Sequence, residues 1–379
     1  MPEKQIKNVK KARALMEDFL ERTGIKGTVG DPSIRYLWTD ALAVQCCFAL
    51  AHLTDDDNYV KNGLDLIDRV HRRLGQFRPD DRRTGWISGL SEAEGSRHPT
   101  AGGLRIGKRL PERKSGEPYD PQLEWDRDGQ YFHYLTRWFH ALLQTFGETG
   151  EKKYANWAAE LLQASGKFLK DSHIYWKMNT DLSAHSIESM GAHDPLEGLV
   201  CVMSAIEALP EKEKTLDSFH RKMKKICRGM EWHTTDALGI GGLLINTART
   251  AELALAGREV PEPAKPRRLY SDGLSGAGAF VKQVYSPKRP AESRLAFREC
   301  GLSLGIRIIS GLGDRYVETG LNIERLEEFI PLADDIENFW LHDESRNSPT
   351  WNDHRDINAV TLAASLLAKG CPASFCYAP

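Results

Sequence analysis

The sequence predicts an all-α fold, an (α/α)6 toroid in which six helical hairpins close into a ring. Three observations favour it: apolar and amphipathic helical segments alternate along the 379 residues, this alternation repeats through six pairs, and strand patterns are few. A helix that is apolar on most faces has to be buried, whereas an amphipathic helix can cover it. Six apolar helices inside six amphipathic ones therefore predict a double ring, formed by a single domain over residues 1–379.

The elements follow in order along the chain. The first segment, 5–22, is amphipathic. Apolar and amphipathic segments then pair as 38–53 with 58–74, 130–146 with 152–169, 195–209 with 215–230, 237–256 with about 272–284, and 294–312 with 321–341. The last apolar segment, 356–369, is expected to pair with the first helix and close the ring. The alternative is a generic helical array or two separate bundles.

The connections between these segments differ in length at the two ends of the predicted ring. Those from an apolar to an amphipathic helix are short, whereas several of the returning ones are long, and the longest is 75–129. Long ordered loops on a rigid scaffold usually carry function. Helix N-termini add unpaired N–H groups and a positive dipole end. We therefore expect the site at the N-terminal ends of the inner helices, with 75–129 folded over a cavity and GWISGL and GGLRIG (within 84–110) as candidate hairpin arms.

Composition narrows the class of protein. A net charge of −2, 27% charged residues and 41% hydrophobic residues fit a soluble globular protein without a global field for nucleic acid or anionic membranes. No apolar run reaches about 18 residues, as a membrane span requires, and the N-terminus is too polar for a signal peptide. The seven cysteines lack a CxxC pair, so we expect reduced thiols in a cytoplasmic protein with neither metal nor cofactor. The oligomeric state stays open.

Acidic residues are concentrated where the inner helices begin. In LEWDRDGQYFHYLTRW (123–138), Glu124, Asp126 and Asp128 precede a long apolar helix, with Asp128 or Gly129 at its cap position. The tetrapeptide TDAL occurs at 39–42 and again at 235–238, opening an inner helix each time. Its aspartates are candidate N-caps, and in a toroid such caps also face the central cavity.

Two further helix starts combine histidine with acids. In MGAHDPLEGLV (190–200), Asp194 is expected to cap the helix, and His193 and Glu197 lie near one face. Glu197 would then orient or tune His193 for proton transfer. In PTWNDHRDINAV (349–360), Asp353 or Asp356 is expected to cap the last inner helix, which leaves the other free for a different role.

Aromatic residues occur at the same helix mouths, and the 75–129 loop adds basic ones. Sugar rings stack their C–H faces on aromatic rings while acids accept from hydroxyl groups, so the combination favours a carbohydrate ligand. The loop residues that could bind anionic or hydroxyl-rich groups are Arg82, Arg83, Arg97, His98, Arg105 and Lys108. The expected substrate-binding residues are Trp38, Asp40, Trp86, Arg97, His98, Arg105, Glu124, Trp125, Tyr131, His133, Tyr134, Asp236, Trp351, His354 and Asp356.

Over the whole chain, the alternating helices and the helix-mouth acids resemble the six-hairpin (α/α)6 carbohydrate-active superfamily. That group includes many glycoside hydrolases and the N-acylglucosamine 2-epimerase family. HDPLEG (193–198) is similar to the HxxxE arrangement of these epimerases. The unsaturated uronyl hydrolases of the superfamily use an aspartate at an inner-helix start, a role that the resemblance implies for Asp40 or Asp128.

The leading hypothesis is a glycoside hydrolase that acts on a small saccharide. One carboxyl group would protonate the leaving oxygen and another would activate water. The candidate catalytic residues are Asp126, Asp128, Asp353 and Glu197, with His193 as helper. Asparagine at Asp128 or Asp353 should then abolish turnover and preserve folding.

Two other functions remain open from the sequence. One is a sugar epimerase or isomerase that uses His193 together with His133 or His354 as proton-transfer groups. The other is a non-catalytic saccharide-binding or scaffold protein, in which the helix-mouth acids would be spread apart as isolated caps.

Overall fold

In a computed structural model, the chain is described over residues 2–27, 30–31, 33–114 and 116–376, without the side chains of 313 and 314. The helices are α1 (Glu3–Arg22), α2 (Leu37–Thr54), α3 (Asn58–Leu74), α4 (Glu92–Arg97), α5 (Pro121–Asp126), α6 (Phe132–Thr149), α7 (Lys152–Ser165), α8 (Asp194–Ala208), α9 (Glu213–Ile226), α10 (Ala237–Leu255), α11 (Pro266–Gln283), α12 (Ala296–Leu312), α13 (Glu324–Glu327), α14 (Ile330–Leu341), α15 (Asp343–Arg346), α16 (Pro349–Asp353), α17 (Arg355–Ala368) and α18 (Ala373–Cys376). The strands are β1 (Gln130–Tyr131), β2 (Leu169–Lys170), β3 (His173–Ile174), β4 (Lys177–Met178) and β5 (His185–Ile187). They form a three-stranded sheet in the order β1-β4-β5 and a β2-β3 pair.

In the part of the chain that the structure describes, six helices form a closed inner ring. Helices α2, α6, α8, α10, α12 and α17 contact one another in that order, and α17 returns to α2. Helices α3, α7, α9, α11 and α14 each pack on the inner helix that precedes them, and α1 packs on α17. The predicted toroid, including its closure by the first and last helices, is confirmed.

The apolar pattern decides which ring a helix joins. Helix α2 is buried continuously from Leu37 to Ala51, whereas α3 buries a stripe of residues three or four apart that includes Leu66, Val70 and Leu74. Among the described helices, α2 is the one whose length and composition would suit a membrane span, yet 78% of it is buried inside the ring. Packing within the ring accounts for its apolar composition.

Residues 75–129 fold differently from the predicted hairpin. The two candidate arms bond to separate parts of the chain: the Phe77 N–H donates to the Gly85 carbonyl oxygen, whereas the Ile106 N–H donates to that of Gly129. Helices α4 and α5 interrupt the segment. The hairpin prediction is wrong because the backbone groups of each arm form their hydrogen bonds with residues outside the pair.

The start of α6 also differs from the prediction. Its N-cap is Tyr131 and not Asp128 or Gly129, because Gln130 and Tyr131 are extended and pair with β4. The helix therefore begins only at Phe132.

Neither Asp194 nor the acids of the last inner helix cap a helix through their side chains. The N-cap of α8 is His193, and Asp194 instead accepts from the main-chain N–H of residue 191 at 3.2 Å. The N-cap of α17 is His354, because Asp353 ends the separate short helix α16, and Asp356 lies in the first turn. Asp353 is thereby left without a capping role.

Candidate active site

A cavity of about 1230 Å³ lies at the N-terminal mouths of the inner helices. Its walls come from the chain before and at the start of α2, from residues 73–78 and 105–110, and from the starts of α12 and α17. Asp126 and Tyr134 complete the lining. We call this space the mouth cavity. It lies at the end of the ring where the sequence predicts the site, and the long loop 75–129 contributes one wall.

Four carboxylates line the mouth cavity, and they differ in their partners. Asp356 forms an ion pair with Arg22, and Asp31 accepts from a main-chain N–H two residues further on at 2.8 Å. Asp126 and Asp353 are exposed and have no hydrogen-bond or ion-pair partner within the described residues. These two side chains, at the ends of α5 and α16, are therefore available to a ligand.

Asp128 lies behind the wall of the cavity instead of on its surface. The residue is 1% exposed, and its Oδ2 accepts from Nη1 of Arg105 at 2.5 Å, with Nη1 of Arg78 at 3.6 Å. Its Oδ1 accepts from the main-chain N–H groups of Gly107 and Lys108 at 3.0 and 3.3 Å. The expectation of a free catalytic carboxylate at this position does not match the structure, because these contacts engage both oxygens in holding the loop.

Asp40 supports the opposite wall from within the first turn of α2. It is 2% exposed and accepts from the Tyr36 N–H at 3.0 Å, with Nη1 of Arg35 at 3.6 Å. Burial raises the pKa of Asp40 to about 6, against the opposing effect of Arg35. Tyr36 and Arg35 line the cavity and Asp40 does not. This aspartate therefore holds Tyr36 and Arg35 in place and does not itself face the cavity.

Aromatic rings contribute an apolar face to the mouth cavity. The hydroxyl groups of Tyr36 and Tyr134 lie 2.6 Å apart, and their rings meet edge to face with centroids 5.5 Å apart. On the α12 side, the Phe297 ring lies 5.9 Å from the imidazole of His354. All four residues line the cavity, so Tyr134 and His354 lie where the sequence predicts them.

A second group of rings packs beside this wall. Trp125 meets Trp176 edge to face at 5.3 Å, and Tyr131 stacks on His133 at 6.2 Å. Burial lowers the pKa of His133 to about 3. None of these four described residues lines the mouth cavity. Tyr131 and His133 instead pack edge to face against Tyr134 at 5.1 and 4.7 Å, and so support it from behind.

Glu197 is buried and does not line the mouth cavity. Its Oε1 accepts from Nδ2 of Asn246 at 3.0 Å, and the guanidinium groups of Arg137 and Arg249 lie 3.4 and 3.9 Å away. Burial alone would raise the pKa of Glu197, but the two arginines and the amide hold it below its usual value. Arg137, Arg249 and Trp38 line a separate axial cavity of about 30 Å³, which has room for about one water molecule.

The three candidate histidines do not come together in one cavity. Nε2 of His193 lies 2.9 Å from the carbonyl oxygen of Trp232, so this nitrogen has to donate, and burial lowers the pKa of the ring. His133 is half-buried in the aromatic group beside Tyr134, and only His354 of the three lines the mouth cavity. The proton-transfer pair expected for an epimerase is therefore not assembled here.

Besides Trp38, Asp40, Trp125, Tyr131 and His133, six further predicted substrate-binding residues do not line the mouth cavity: Trp86, Arg97, His98, Glu124, Asp236 and Trp351. His98 contacts Glu160 at 2.6 Å, and buried Glu124 accepts from Arg113 at 2.9 Å. Asp236 caps α10 through a main-chain N–H at 2.9 Å, as its position in the TDAL repeat predicts. These residues have structural partners of their own.

Several cations line the mouth cavity that the sequence did not single out. The basic lining residues are Arg22, Arg35, Arg73, Arg78, Arg105, Lys108, Arg109 and Arg355. The sequence predicts ligand contact only for Arg105 and Lys108. Arg78 and Arg109 belong to the 75–129 loop that is expected to cover the cavity. Arg22, Arg35, Arg73 and Arg355 lie on segments outside that loop, so no local pattern reveals that they meet.

The described residues contain no group of three or more His, Cys, Asp or Glu side chains arranged to hold a metal ion. All seven cysteines are free thiols, and six of them are buried.

Comparisons with known proteins find similarity in structure alone. No protein-family model matches the chain, and neither does any curated protein sequence. The α-1,6-mannanase GH76A of Salegentibacter sp. HEL1_6 is similar over 96% of this chain and 99% of its own, with a TM-score of 0.57 and 12% identity. A variant of it that is inactive, with two adjacent aspartates changed to asparagine, has been solved with α-1,6-mannotriose.

Two further solved structures are similar over nearly their whole length. An unsaturated glucuronyl hydrolase specific for heparin covers 97% of each chain, with a TM-score of 0.53 and 10% identity. A glycoside hydrolase of family 105 from C. acetobutylicum ATCC 824 covers 94% of this chain and 97% of its own, with a TM-score of 0.50 and 11% identity. The chain has the (α/α)6 toroid fold of these glycoside hydrolases.

Proposed function

We propose that this protein is a glycoside hydrolase that cleaves a small saccharide in the mouth cavity, with Asp126 and Asp353 as the catalytic carboxylates. One observation carries the proposal: a single cavity at the helix mouths collects two exposed carboxylates that lack partners among the described residues. They come from segments far apart in the sequence, and neither caps an inner helix. A scaffold role would predict acids spread apart as isolated caps, which describes Asp236 but not this pair.

The arrangement suits the chemistry of glycosidic bond cleavage. A carboxylic acid protonates the leaving oxygen, while a second carboxylate either activates water or attacks the sugar directly. Tyr36, Tyr134 and Phe297 would offer ring faces to the apolar side of a sugar. The walls also present hydroxyl and guanidinium donors to its oxygens. In a mannanase of the same fold, a variant with two aspartates changed to asparagine is inactive, which supports the choice of aspartates. The free thiols support a cytoplasmic location.

The test is hydrolysis of a panel of neutral and acidic di- and trisaccharides, followed by chromatography of the products. Asp126→Asn and Asp353→Asn should each lower kcat by about 10²- to 10⁴-fold, the usual contribution of an acid or base. Asp335→Asn is the matched control, because Asp335 is exposed on the outer helix α14. Wild-type turnover in both cavity variants would refute the assignment.

A second measurement separates the two roles. An aryl glycoside with a good leaving group needs little protonation, so the variant that lacks the acid should keep most of its activity on that substrate. The variant that lacks the base or nucleophile should remain slow on both substrates. Deuterium incorporation from solvent into uncleaved sugar would instead favour the epimerase alternative.

A further inference from the structure

The mouth cavity contains more cations than glycosidic cleavage requires. Eight cationic side chains line it against four acidic ones, although the whole chain has 51 basic and 53 acidic residues. Carboxylate partners within 4 Å neutralise five of these cations: Arg22, Arg35, Arg78, Arg105 and Arg355. Arg73, Lys108 and Arg109 have no carboxylate partner among the described residues.

These three cations are available for a ligand to differing degrees. The side chains of Arg73 and Arg109 make no hydrogen bond within the described residues, and Arg109 is exposed. The Lys108 ammonium donates to the main-chain oxygen of Trp125 and lies 5.4 Å from the centre of the Tyr131 ring. Like charges that share a cavity repel one another, and a bound anion offsets that cost.

Two buried guanidinium nitrogens in the same lining also lack partners. Nη2 of Arg22 and Nη1 of Arg35 have no hydrogen bond, although Arg35 is only 3% exposed. The Nη1 of Arg35 lies 3.6 Å from Asp40, beyond hydrogen-bonding distance. Buried donors are normally paired, so these two unpaired N–H donors indicate that a ligand supplies the acceptor.

Within the described residues, no carboxylate lies within 4 Å of the Arg73, Lys108 or Arg109 side-chain nitrogens. Of the four lining carboxylates, Asp356 is paired with Arg22, and Asp31 accepts from a main-chain N–H and makes no ion pair within 4 Å. The other two, Asp126 and Asp353, are assigned to catalysis in the proposed function. The planar guanidinium group of arginine can donate two parallel hydrogen bonds to a pair of oxygens on a carboxylate or a sulfate group. We propose that the substrate is an acidic saccharide whose carboxylate or sulfate group is bound by Arg73, Lys108 and Arg109. This inference rests on the proposed function for cleavage, but its ligand class can be tested without turnover.

The test measures binding by isothermal titration calorimetry with three probes of matched length: trigalacturonate, a sulfated galactose trisaccharide and neutral galactotriose. Wild-type protein should bind at least one acidic probe about tenfold or more tightly than the neutral one, which corresponds to one charge-assisted hydrogen bond. Binding should weaken when NaCl is raised from 50 to 500 mM. The preferred acidic probe then distinguishes a carboxylate substrate from a sulfated one.

Variants locate the binding group. Arg73→Gln and Arg109→Gln should each weaken binding of the acidic probe by about tenfold and leave the neutral probe unaffected. Arg72→Gln is the matched control, since Arg72 is the exposed neighbour of Arg73 on α3 and does not line the cavity. Arg109 is exposed on a loop, so Arg109→Gln keeps the test valid should Arg73→Gln fail to fold.

The outcomes separate this inference from the proposed function. Equal or tighter binding of the neutral probe, no binding of either acidic probe, or an equal effect of Arg72→Gln would overturn the inference. Hydrolysis of neutral but not acidic saccharides would overturn it and leave the hydrolase proposal standing. Selective binding of an acidic probe, lost in Arg73→Gln or Arg109→Gln and without cleavage of any saccharide, would support the anion site and count against the hydrolase.

Discussion

Replacing Asp128 by asparagine should destabilise the fold, whereas the same change at Asp353 should affect turnover alone. The two aspartates look equivalent in the sequence, since both precede an inner helix. In the structure, Asp128 is 1% exposed and accepts from Arg105 at 2.5 Å and from two main-chain N–H groups. Asp353 is exposed and has no partner among the described residues.

The magnitude follows from what Asp128→Asn leaves unpaired. Arg78 retains its pair with Asp80 at 2.7 Å, but Arg105 is 3% exposed and loses its only carboxylate. Removing one partner of a buried pair costs about 3–5 kcal/mol. The amide oxygen of asparagine still accepts one hydrogen bond, so we expect a loss near the lower end, about 3 kcal/mol.

The assay is urea unfolding of the wild type, Asp128→Asn, Arg105→Met and the double variant. The double variant should lose less than the sum of the single losses, because it leaves no unpaired buried charge, and the coupling should reach about 1–3 kcal/mol. Asp353→Asn is the control and should stay within about 0.5 kcal/mol of the wild type. A stable but inactive Asp128→Asn protein, or additive single losses, would refute this reasoning and restore Asp128 as a catalytic candidate.

The other predictions concern pH, positioning and helix packing. Burial lowers the pKa of His71 to about 3, and its Nε2 accepts from Nε1 of Trp138 at 3.0 Å. As the pH falls below about 6.5, the unfolded chain therefore binds a proton at this ring that the folded chain does not. The free energy of unfolding should fall by about 2 kcal/mol from this ring when the pH is lowered from 7.5 to 5. In urea unfolding at both pH values, His71→Gln should lose correspondingly less free energy of unfolding than the wild type. An equal loss in the two proteins would contradict the assignment of this pH dependence to His71. Lys177 is fully buried and donates to the main-chain oxygens of Glu124 and Arg127, on either side of Asp126. Lys177→Met should therefore misplace that carboxylate and lower kcat by about tenfold or more, so an unchanged kcat would exclude this positioning role. A Cβ at Gly241 would lie 2.1 Å from the carbonyl oxygen of Gly301, whereas one at Gly242 meets nothing closer than 3.6 Å. Gly241→Ala should thus lower the free energy of unfolding by about 1–3 kcal/mol or more, and Gly242→Ala should leave it unchanged or raise it by up to about 1 kcal/mol; equal urea midpoints for the two variants would contradict the close helix packing.

The ring could be predicted because its signal is local. Helix α2 is buried continuously from Leu37 to Ala51, whereas α3 is buried along a single stripe. Both patterns follow from residue spacing within each helix. The TDAL tetrapeptide predicts a cap at both of its aspartates, but only Asp236 is one. Asp40 lies within the first turn of α2, whose N-cap is Tyr36. Local patterns predicted a hairpin in 84–110 that does not form, because the two candidate arms bond instead to residues near 75 and to Gly129. Those pairings depend on which distant backbone groups the fold brings near.

The site shows the same difference between features that depend on neighbouring residues and features that depend on distant ones. By itself the sequence determined that acids, aromatic rings and long loops gather at the inner-helix mouths, since helix direction and loop length place them there. Only the tertiary structure decided that Asp126 is exposed to the mouth cavity while Asp128, two residues on, is buried against Arg105. It also brought Arg73 and Asp353 to one cavity. The physical reason is that helical periodicity is a property of neighbouring residues, whereas the burial and pairing of a charge depend on partners distant in sequence.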